Sequence, residues 1–283
     1  MERIKRALER AKIKRESVLG QAASPRPEMA NVASAPTAGP AEAGAEPSHA
    51  PQVRTRTQPI NLALMREGGL LLPGMVGPVA HSFKMLRTQV MQRMKSRGWN
   101  TLAVLSAAPD EGKTFVATNL AIAIAADPDS TALLVDLDLR APRLHRRFGF
   151  EPDVGVENCL RGEAELSAAL VNPEGYGDLL LLPARGPVQH SSELLASSRA
   201  RNLFREVKER YANRVVIYDL PPMLGSDDAL TFAPQVDAVL VVVGDERTKR
   251  EELMRCFELI REIPVVGTVL NGSRREHSAA YAY

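Results

Sequence analysis

From about residue 60 onward, short uninterrupted apolar runs alternate with longer stretches in which apolar residues recur at helical spacing. The apolar runs predict six β-strands, at Leu102–Leu105, Ala132–Val135, Leu179–Leu182, Val215–Tyr218, Ala238–Val243 and Val265–Leu270. The amphipathic stretches predict helices that include Lys113–Ala126, Ser198–Tyr211 and Lys249–Glu262. Wholly apolar strands that alternate with helices are typical of a parallel sheet covered on both faces. The pattern therefore predicts a doubly wound, mostly parallel α/β fold.

The chain before this domain follows a different pattern. Residues 1–19 place Ile4, Leu8 and Ala11 on one stripe among many lysines and arginines, which predicts a basic amphipathic helix. Residues 20–58 are rich in Ala, Pro, Ser, Thr and Gly and predict a disordered linker. The predicted domain spans residues 60–272, and residues 273–283 form a polar tail that is expected to be flexible.

Composition narrows the classes of function. The net charge is only +2, which gives no argument for a nucleic-acid partner. The two cysteines lack metal-ligand spacing, as in proteins of a reduced compartment. The longest apolar run, Ala238–Val243, is too short to cross a bilayer, and no apolar segment of a signal peptide follows the basic start. These features predict a cytoplasmic protein that is not embedded in the membrane.

The first predicted strand runs directly into the sequence "SAAPDEGKTF" (106–115), in which a helix begins. Gly112-Lys113-Thr114 in this context is typical of a P-loop, where Lys113 would contact the β- and γ-phosphates of ATP and Thr114 would bind Mg²⁺. Ala107 replaces the motif's first glycine, and a tight turn with a chance Gly-Lys-Thr is the alternative. The context favours a P-loop NTPase that uses ATP and Mg²⁺. Its predicted cofactor-binding residues here are Ala108, Pro109, Asp110, Glu111, Gly112, Lys113, Thr114 and Phe115.

Charged residues follow the strand Ala132–Val135 at every second position, as Asp136, Asp138 and Arg140. On an extended chain these side chains share a face, and they follow a strand's carboxyl end, where such sheets bind ligands. One carboxylate could orient the metal, the other could accept a proton from a hydroxyl group, and Arg140 could stabilise phosphoryl charge. Together with Lys113 they form the predicted catalytic set. A surface cluster of ion pairs is the alternative.

Two later strands also end in polar residues. Asp219 occupies the position of a Walker B carboxylate, so Thr114, Asp136 and Asp219 are the predicted metal ligands. A turn or helix-capping aspartate is the alternative. Asn271 ends the last strand and either hydrogen-bonds an adenine edge, as a further cofactor-binding residue, or forms an Asn-Gly turn. The pattern leaves both readings of Asn271 open.

Residues 60–283 resemble the bacterial tyrosine autokinases of capsule and exopolysaccharide synthesis, the BY-kinases of the CpsD/CapB type. The most specific common feature is an apolar strand followed by D-x-D-x-R, here Asp136 to Arg140. The stretches "SSELLASS" (191–198), "YDLPPMLGSDDA" (218–229) and "VDAVLVVVGDERT" (236–248) are also similar. The stretch "LMREGGLLLP" (64–73) and the opening helix look like the branch found beside exosortase-type polysaccharide loci.

The resemblance implies ATP-dependent phosphorylation of tyrosines in a C-terminal tail, here Tyr281 and Tyr283. It implies a membrane-embedded polysaccharide chain-length determinant as the activating partner, and assembly into a homo-oligomer. It also places the protein at the inner face of the cell membrane. Residues 1–19 could contact the membrane surface through their basic side chains, or bind a partner helix.

This sequence departs from the family pattern in three places. The family loop usually reads Pro-Gly-Glu-Gly-Lys, whereas "PDE" (109–111) here places an extra acid near the phosphates. The family's assembly motif, E-x-x-R-x-x-R, reads His81-x-x-Lys84-x-x-Arg87, so only Arg87 matches. The tail has two tyrosines at its end in place of a long tyrosine cluster.

Two other functions compete with a tyrosine kinase. A positioning ATPase of the MinD/ParA kind has the same predicted fold, but it carries a lysine where this chain has Ala108, and it lacks D-x-D-x-R. A nucleotide-binding regulatory module of the polysaccharide machinery, with little kinase activity, is the second alternative. Asp110, the altered assembly motif and the sparse tail favour that module, whereas the D-x-D-x-R motif favours the kinase.

Overall fold

The structure, a computed structural model, describes residues 55–210 and 214–273. These residues form one sheet of eight strands: β1 (Arg56–Gln58), β2 (Thr101–Ser106), β3 (Thr131–Asp136), β4 (Val171–Pro173), β5 (Leu179–Leu182), β6 (Arg214–Asp219), β7 (Ala238–Gly244) and β8 (Val265–Asn271).

Helices connect most of these strands. Within the same ranges they are α1 (Leu62–Glu67), α2 (Pro78–Lys95), α3 (Lys113–Ala125), α4 (Leu144–Phe148), α5 (Val156–Arg161), α6 (Leu166–Ala169), α7 (Ser191–Ala196), α8 (Ser198–Arg210), α9 (Asp227–Phe232) and α10 (Arg250–Leu259), with a 3₁₀ turn at Ala233–Gln235.

The strands lie in the order β1-β4-β5-β3-β6-β2-β7-β8, and every neighbouring pair is parallel except β4 and β5. The order reverses around β2, the first strand of the predicted domain, as in doubly wound sheets. The prediction of a mostly parallel α/β fold is therefore confirmed.

Alternate residues of the central strands enter two separate apolar cores. On β2, Leu102 and Val104 pack into the core beneath α2 and α3, whereas Ala103 and Leu105 pack into the core beneath α8, α9 and α10. All four side chains are fully buried. This burial on both faces explains why the strand is apolar at every position.

The two three-residue strands, β1 and β4, escaped prediction. β1 reads Arg-Thr-Gln and pairs in parallel with Val171–Pro173, so the strand lies inside the predicted linker 20–58 and the linker must end before it. Neither strand is long or apolar enough to show the alternation of apolar and polar residues that predicts a strand. Both are recognised only from their pairing in the sheet. The predicted helix 1–19, the first part of the linker and nearly all of the tail lie outside the described residues.

The carboxyl ends of the central strands meet along one edge of the sheet. β2 ends at Ser106, and the last residues of β3 and β6, Asp136 and Asp219, are direct neighbours in the parallel register. β7 and β8 end on the other side of β2, with Gly244 opposite Asn271. Every predicted site residue within the described ranges lies near this edge. In residues 55–210 and 214–273, no helix combines the length and apolar character needed to cross a membrane.

Candidate functional site

The loop between β2 and α3 has the backbone conformation of a phosphate-binding loop. Gly112 precedes α3 with φ of 92°, a conformation that favours glycine. A Cβ atom at this position would lie 2.0 Å from Nδ2 of Asn271, so a side chain here would collide with the end of β8. The first amide groups of α3 have no side-chain cap, which leaves them available to an anion.

Asp110 stands where the family pattern has glycine, and its φ of 58° is left-handed. Its carboxylate is largely exposed and lies 3.5 Å from NH1 of Arg143, while its carbonyl accepts a hydrogen bond of 2.9 Å from Arg247. The position therefore keeps the backbone conformation of a glycine despite its side chain. That this extra acid lies near bound phosphates stays a prediction.

Lys113 and Asp138 form an ion pair at the start of α3. Nζ of Lys113 lies 2.7 Å from Oδ2 of Asp138, and the two side chains are only 12% and 10% exposed. Burial lowers the pKa of Lys113, but the carboxylates of Asp219 and Asp138 outweigh this and hold the pKa above its usual value. The lysine is therefore charged in a largely buried site, where it can bind phosphate.

Asp136 is completely buried beside Asp138. Its carboxylate accepts backbone N–H bonds from Asp138 at 3.2 Å and from Leu144 at 3.0 Å, which fixes the turn into α4. Burial, and then the charge of Asp219, raise the pKa of Asp136 to about 8. A bound divalent cation would favour the charged form of this group.

Asp219, the neighbour of Asp136 in the sheet, has a buried oxygen, Oδ1, with no hydrogen-bond partner. Burial raises its pKa, while the charge of Lys113 and a hydrogen bond from Thr114 act in the opposite direction. A buried carboxylate oxygen without a partner is costly unless a ligand uses it. Thr114, Asp136 and Asp219 therefore fit a Mg²⁺ ion accompanied by phosphate. No group of three or more Asp, Glu, His or Cys side chains within the described ranges is arranged to hold a metal alone.

Arg140 does not join this cluster, which corrects the prediction that all three charges of D-x-D-x-R point together. β3 ends at Asp136, so the alternation of an extended strand stops before Arg140. The guanidinium group instead lies 2.5 Å from the carboxylate of Asp227 and 3.3 Å from that of Asp228. Asp228 also accepts a hydrogen bond of 2.6 Å from Ser191. Arg140 thus holds the starts of α7 and α9 against the loop after β3.

Asn271 contacts the P-loop directly. Its Nδ2 donates a hydrogen bond of 2.9 Å to the carbonyl of Glu111, which uses one of the two N–H groups of the amide. A contact between the side chain of Asn271 and an adenine edge stays a prediction. Phe115 directs its ring away from the loop and packs against Phe83 at 5.7 Å between centroids, so only its backbone can serve a phosphate.

A cavity of about 620 Å³ opens beside the P-loop, lined by residues 110–111, 244–247 and 271–272. The turn after β7 supplies one wall, and sequence reasoning missed its Arg247 and Thr248. Their signal was present, because "GDERT" follows the carboxyl end of a predicted strand. Arg147 was also missed. Burial lowers its pKa, and the charge of Asp219 opposes that shift.

The loop, the lysine and the paired strand-end carboxylates are features of the P-loop NTPase fold. No protein-family model matches the chain. The tyrosine-protein kinase YwqD of Bacillus subtilis (strain 168) is 28% identical over 208 residues, which cover 72% of this chain and 85% of that protein. The succinoglycan biosynthesis transport protein ExoP of Rhizobium meliloti (strain 1021) is 32% identical over 209 residues, covering 72% of this chain and 26% of ExoP. The chain thus spans about a quarter of the length of ExoP and of several other relatives.

Among solved structures, the kinase domain of the Escherichia coli tyrosine kinase ETK matches with a TM-score of 0.64 and 31% identity, over 72% of this chain and 80% of that domain. The chain belongs to the family of bacterial tyrosine-protein kinases, which confirms the resemblance seen in the sequence. The cell division ATPase MinD of Pyrococcus furiosus matches with a TM-score of 0.53 at 23% identity, over 62% of this chain and 74% of that protein. This second likeness shows the fold alone.

Proposed function

We propose that this chain is an ATP-dependent protein-tyrosine autokinase that regulates the synthesis and export of a bacterial exopolysaccharide. Its membership of the tyrosine-kinase family and the name of its relative ExoP support this activity and this setting. The observation that carries the proposal is the buried pair of Lys113 and Asp138, 2.7 Å apart and next to the P-loop. That arrangement combines a phosphate-binding cation with a carboxylate able to accept a proton.

Bound Mg–ATP would supply the phosphoryl group and the metal that neutralises its charge. On the protein side, Lys113 and the amides at the start of α3 would bind the phosphates, and Thr114, Asp136 and Asp219 would hold the metal. Asp138 would accept the proton of an incoming tyrosine hydroxyl. Asp138 lies beside Lys113 at the start of α3, so one pocket can serve both tasks.

The proposed acceptors are Tyr281 and Tyr283, which lie outside the described residues. The proposed activator is a membrane-embedded polysaccharide chain-length determinant, and residues 1–19 would contribute a contact with the inner face of the membrane. A homo-oligomer also belongs to this proposal. Arg87, the one residue that matches the assembly motif, donates a hydrogen bond of 3.2 Å to the carbonyl of Ala123 within the same chain.

Intact-mass analysis after incubation with Mg–ATP, with and without membranes that carry the partner, tests this function. We expect phosphate on residues 281–283, and none in Lys113→Ala or in a variant with both tail tyrosines changed to Phe. Lys95→Ala, at the exposed end of α2, is the matched control and should label normally. ATP turnover with an unmodified tail would replace the kinase with an ATPase. Nucleotide binding without turnover would replace it with a regulatory module.

A further inference from the structure

The P-loop is fastened from behind by a buried carboxylate. Glu111 is only 2% exposed. Its Oε2 accepts the backbone N–H of Ala108 at 3.1 Å, and its Oε1 accepts a short hydrogen bond from the hydroxyl of Thr248. One carboxylate therefore connects the first half of the loop with the turn that follows β7.

Thr248 is itself held in a fixed orientation. Its hydroxyl oxygen accepts the backbone N–H of Gly244 at 2.8 Å, so its hydrogen is directed at Glu111. Two further bonds run in parallel, from Arg247 to the carbonyl of Asp110 and from Asn271 to the carbonyl of Glu111, each 2.9 Å long. The loop residues 108–111 thus contact both the β7–α10 turn and the end of β8.

Such a clamp matters because a phosphate-binding loop works through backbone amides that must already point at the ligand. A buried carboxylate that loses its hydroxyl donor keeps its charge without full satisfaction, and the surrounding loop must move to restore it. Thr248 lies behind the loop and contacts Glu111 and Gly244. Its direct side-chain contact with the loop is therefore the carboxylate of Glu111.

We propose that Thr248 is a positioning residue for phosphate binding: acting through Glu111, it holds the P-loop in the conformation that receives the phosphates of Mg–ATP. This inference rests on the proposed function, because it assigns a task within the same nucleotide site. It is separable from that function, because the loop conformation can be measured without nucleotide.

The matched variants are Thr248→Val, which keeps the shape and removes the hydroxyl, and Thr248→Ser, which keeps the hydroxyl. Thr268→Val, on the exposed edge strand β8, controls for the loss of a threonine hydroxyl elsewhere. We measure hydrogen exchange of the peptide that contains residues 107–112 without nucleotide, and the Kd of Mg–ATP. In Thr248→Val the exchange should become faster and the Kd of Mg–ATP should rise, each by about tenfold or more. This is the effect expected from the loss of one hydrogen bond to a buried charge. Thr248→Ser should recover most of both values.

The double variant Thr248→Val with Glu111→Gln tests the route of the effect. If Thr248 acts through Glu111, the double variant should bind Mg–ATP no more weakly than Glu111→Gln alone. Wild-type affinity in a folded Thr248→Val protein would overturn the proposal, even if exchange of the loop became faster. If Thr248→Val fails to fold, Thr248→Ser is compared with Glu111→Gln. A loss of Mg–ATP affinity in Thr248→Ser as large as the loss in Glu111→Gln would overturn the proposal, because serine keeps the hydroxyl group. A wild-type protein that binds Mg–ATP but transfers no phosphate would contradict the proposed function and leave the role of Thr248 in phosphate binding intact.

Discussion

Asp136, Asp138 and Asp219 share a pocket with a single lysine, and the protein satisfies each carboxylate differently. Asp138 pairs with Lys113, and Asp136 receives backbone amides. Asp219 keeps one buried oxygen without a partner. The three carboxylates outnumber the two cations that act on Asp219, which are Lys113 and Arg147, and burial raises the pKa values of Asp136 and Asp219. A site with this imbalance is suited to a divalent cation.

Asp138→Asn separates the proposed base from the phosphate-binding groups. Asparagine has nearly the same shape and leaves Lys113 in place, but it cannot accept a proton. We expect phosphate transfer to fall by about 10²- to 10⁴-fold, the usual contribution of a general base, while the Kd of Mg–ATP changes by less than about threefold. Single-turnover kinetics and nucleotide titration measure the two quantities, with Asp129→Asn on the exposed α3–β3 loop as control. A loss of affinity as large as the loss of transfer would contradict the assignment.

Asp110→Gly tests the strain in the P-loop. A residue with a Cβ atom pays a cost of roughly 1–2 kcal/mol in the left-handed region, which glycine avoids, although glycine adds flexibility to the unfolded chain. We therefore expect Asp110→Gly to raise the free energy of unfolding by about 0.5–1 kcal/mol in urea titrations. Asp110→Ala, which keeps the Cβ and removes the carboxylate, should lower it. Equal effects of the two substitutions would show that φ of 58° is not strained here.

At the scale of whole elements, the sequence best predicts the strands whose side chains are buried on both faces of the sheet. Five of the six predicted strands could be predicted because their side chains enter one of two cores on the two faces of the sheet. β8, at the edge of the sheet, is partly exposed and was predicted from its apolar run alone. β1 and β4 could not be predicted, since Arg-Thr-Gln and Val-Asn-Pro acquire their conformation from each other. At the site, Lys113, Thr114, Asp136, Asp138 and Asp219 lie at strand ends or in a loop that the motifs mark.

The contacts that sequence reasoning missed join elements far apart along the chain. Thr248 and Glu111 are separated by 137 positions in the sequence, so no local pattern predicts their contact. The predicted direction of the Arg140 side chain was wrong for the opposite reason. The prediction extended a local rule, the alternation of side chains along a strand, past the end of β3. Patterns of neighbouring residues predict elements and their ends, whereas the direction of a side chain in a loop depends on tertiary packing.

Asp237 fastens the opposite, amino-terminal edge of the sheet. Its carboxylate accepts the N–H groups of Asn100 and Thr101 at 3.1 Å and the hydroxyl of Thr101 at 2.8 Å, and it pairs with Lys208. Because several of these bonds are lost together, Asp237→Ala should lower the free energy of unfolding by roughly 2–3 kcal/mol at pH 7, measured in urea. Asp178→Ala, an exposed acid, should have little effect.

The same residue gives the stability a pH dependence of known sign. Burial raises the pKa of Asp237, but hydrogen bonds from Lys208 and Thr101 outweigh this and lower it below the ordinary value of 3.8. A carboxyl whose pKa is lower in the folded state stabilises the fold above its unfolded pKa, and this contribution is lost as the pH falls through the folded pKa. The difference between wild type and Asp237→Ala should therefore narrow below about pH 4. A difference that grows on acidification would contradict this assignment.

At the scale of the molecule, one edge of the sheet carries the proposed chemistry and the other carries structural contacts. The ends of β2, β3, β6, β7 and β8 bring together residues from positions 106 to 271, so the site exists only in the folded chain. A ligand of that site binds the folded state and not the unfolded one. Its binding must therefore appear as stability of the whole domain.

Mg–ATP at a hundredfold excess over its Kd should accordingly raise the free energy of unfolding by about 2.7 kcal/mol. Chelation of Mg²⁺ should remove most of this gain, because the metal screens the phosphates from Asp136 and Asp219. Asp219→Asn should show a smaller gain at the same Mg–ATP concentration, since the buried Oδ1 that lacks a protein partner belongs to Asp219. Urea titrations with Mg–ATP, with ATP plus chelator and with inorganic phosphate alone measure these differences, and phosphate controls for a general anion effect. A gain that is identical with and without Mg²⁺ would show that the carboxylates of β3 and β6 do not hold the metal.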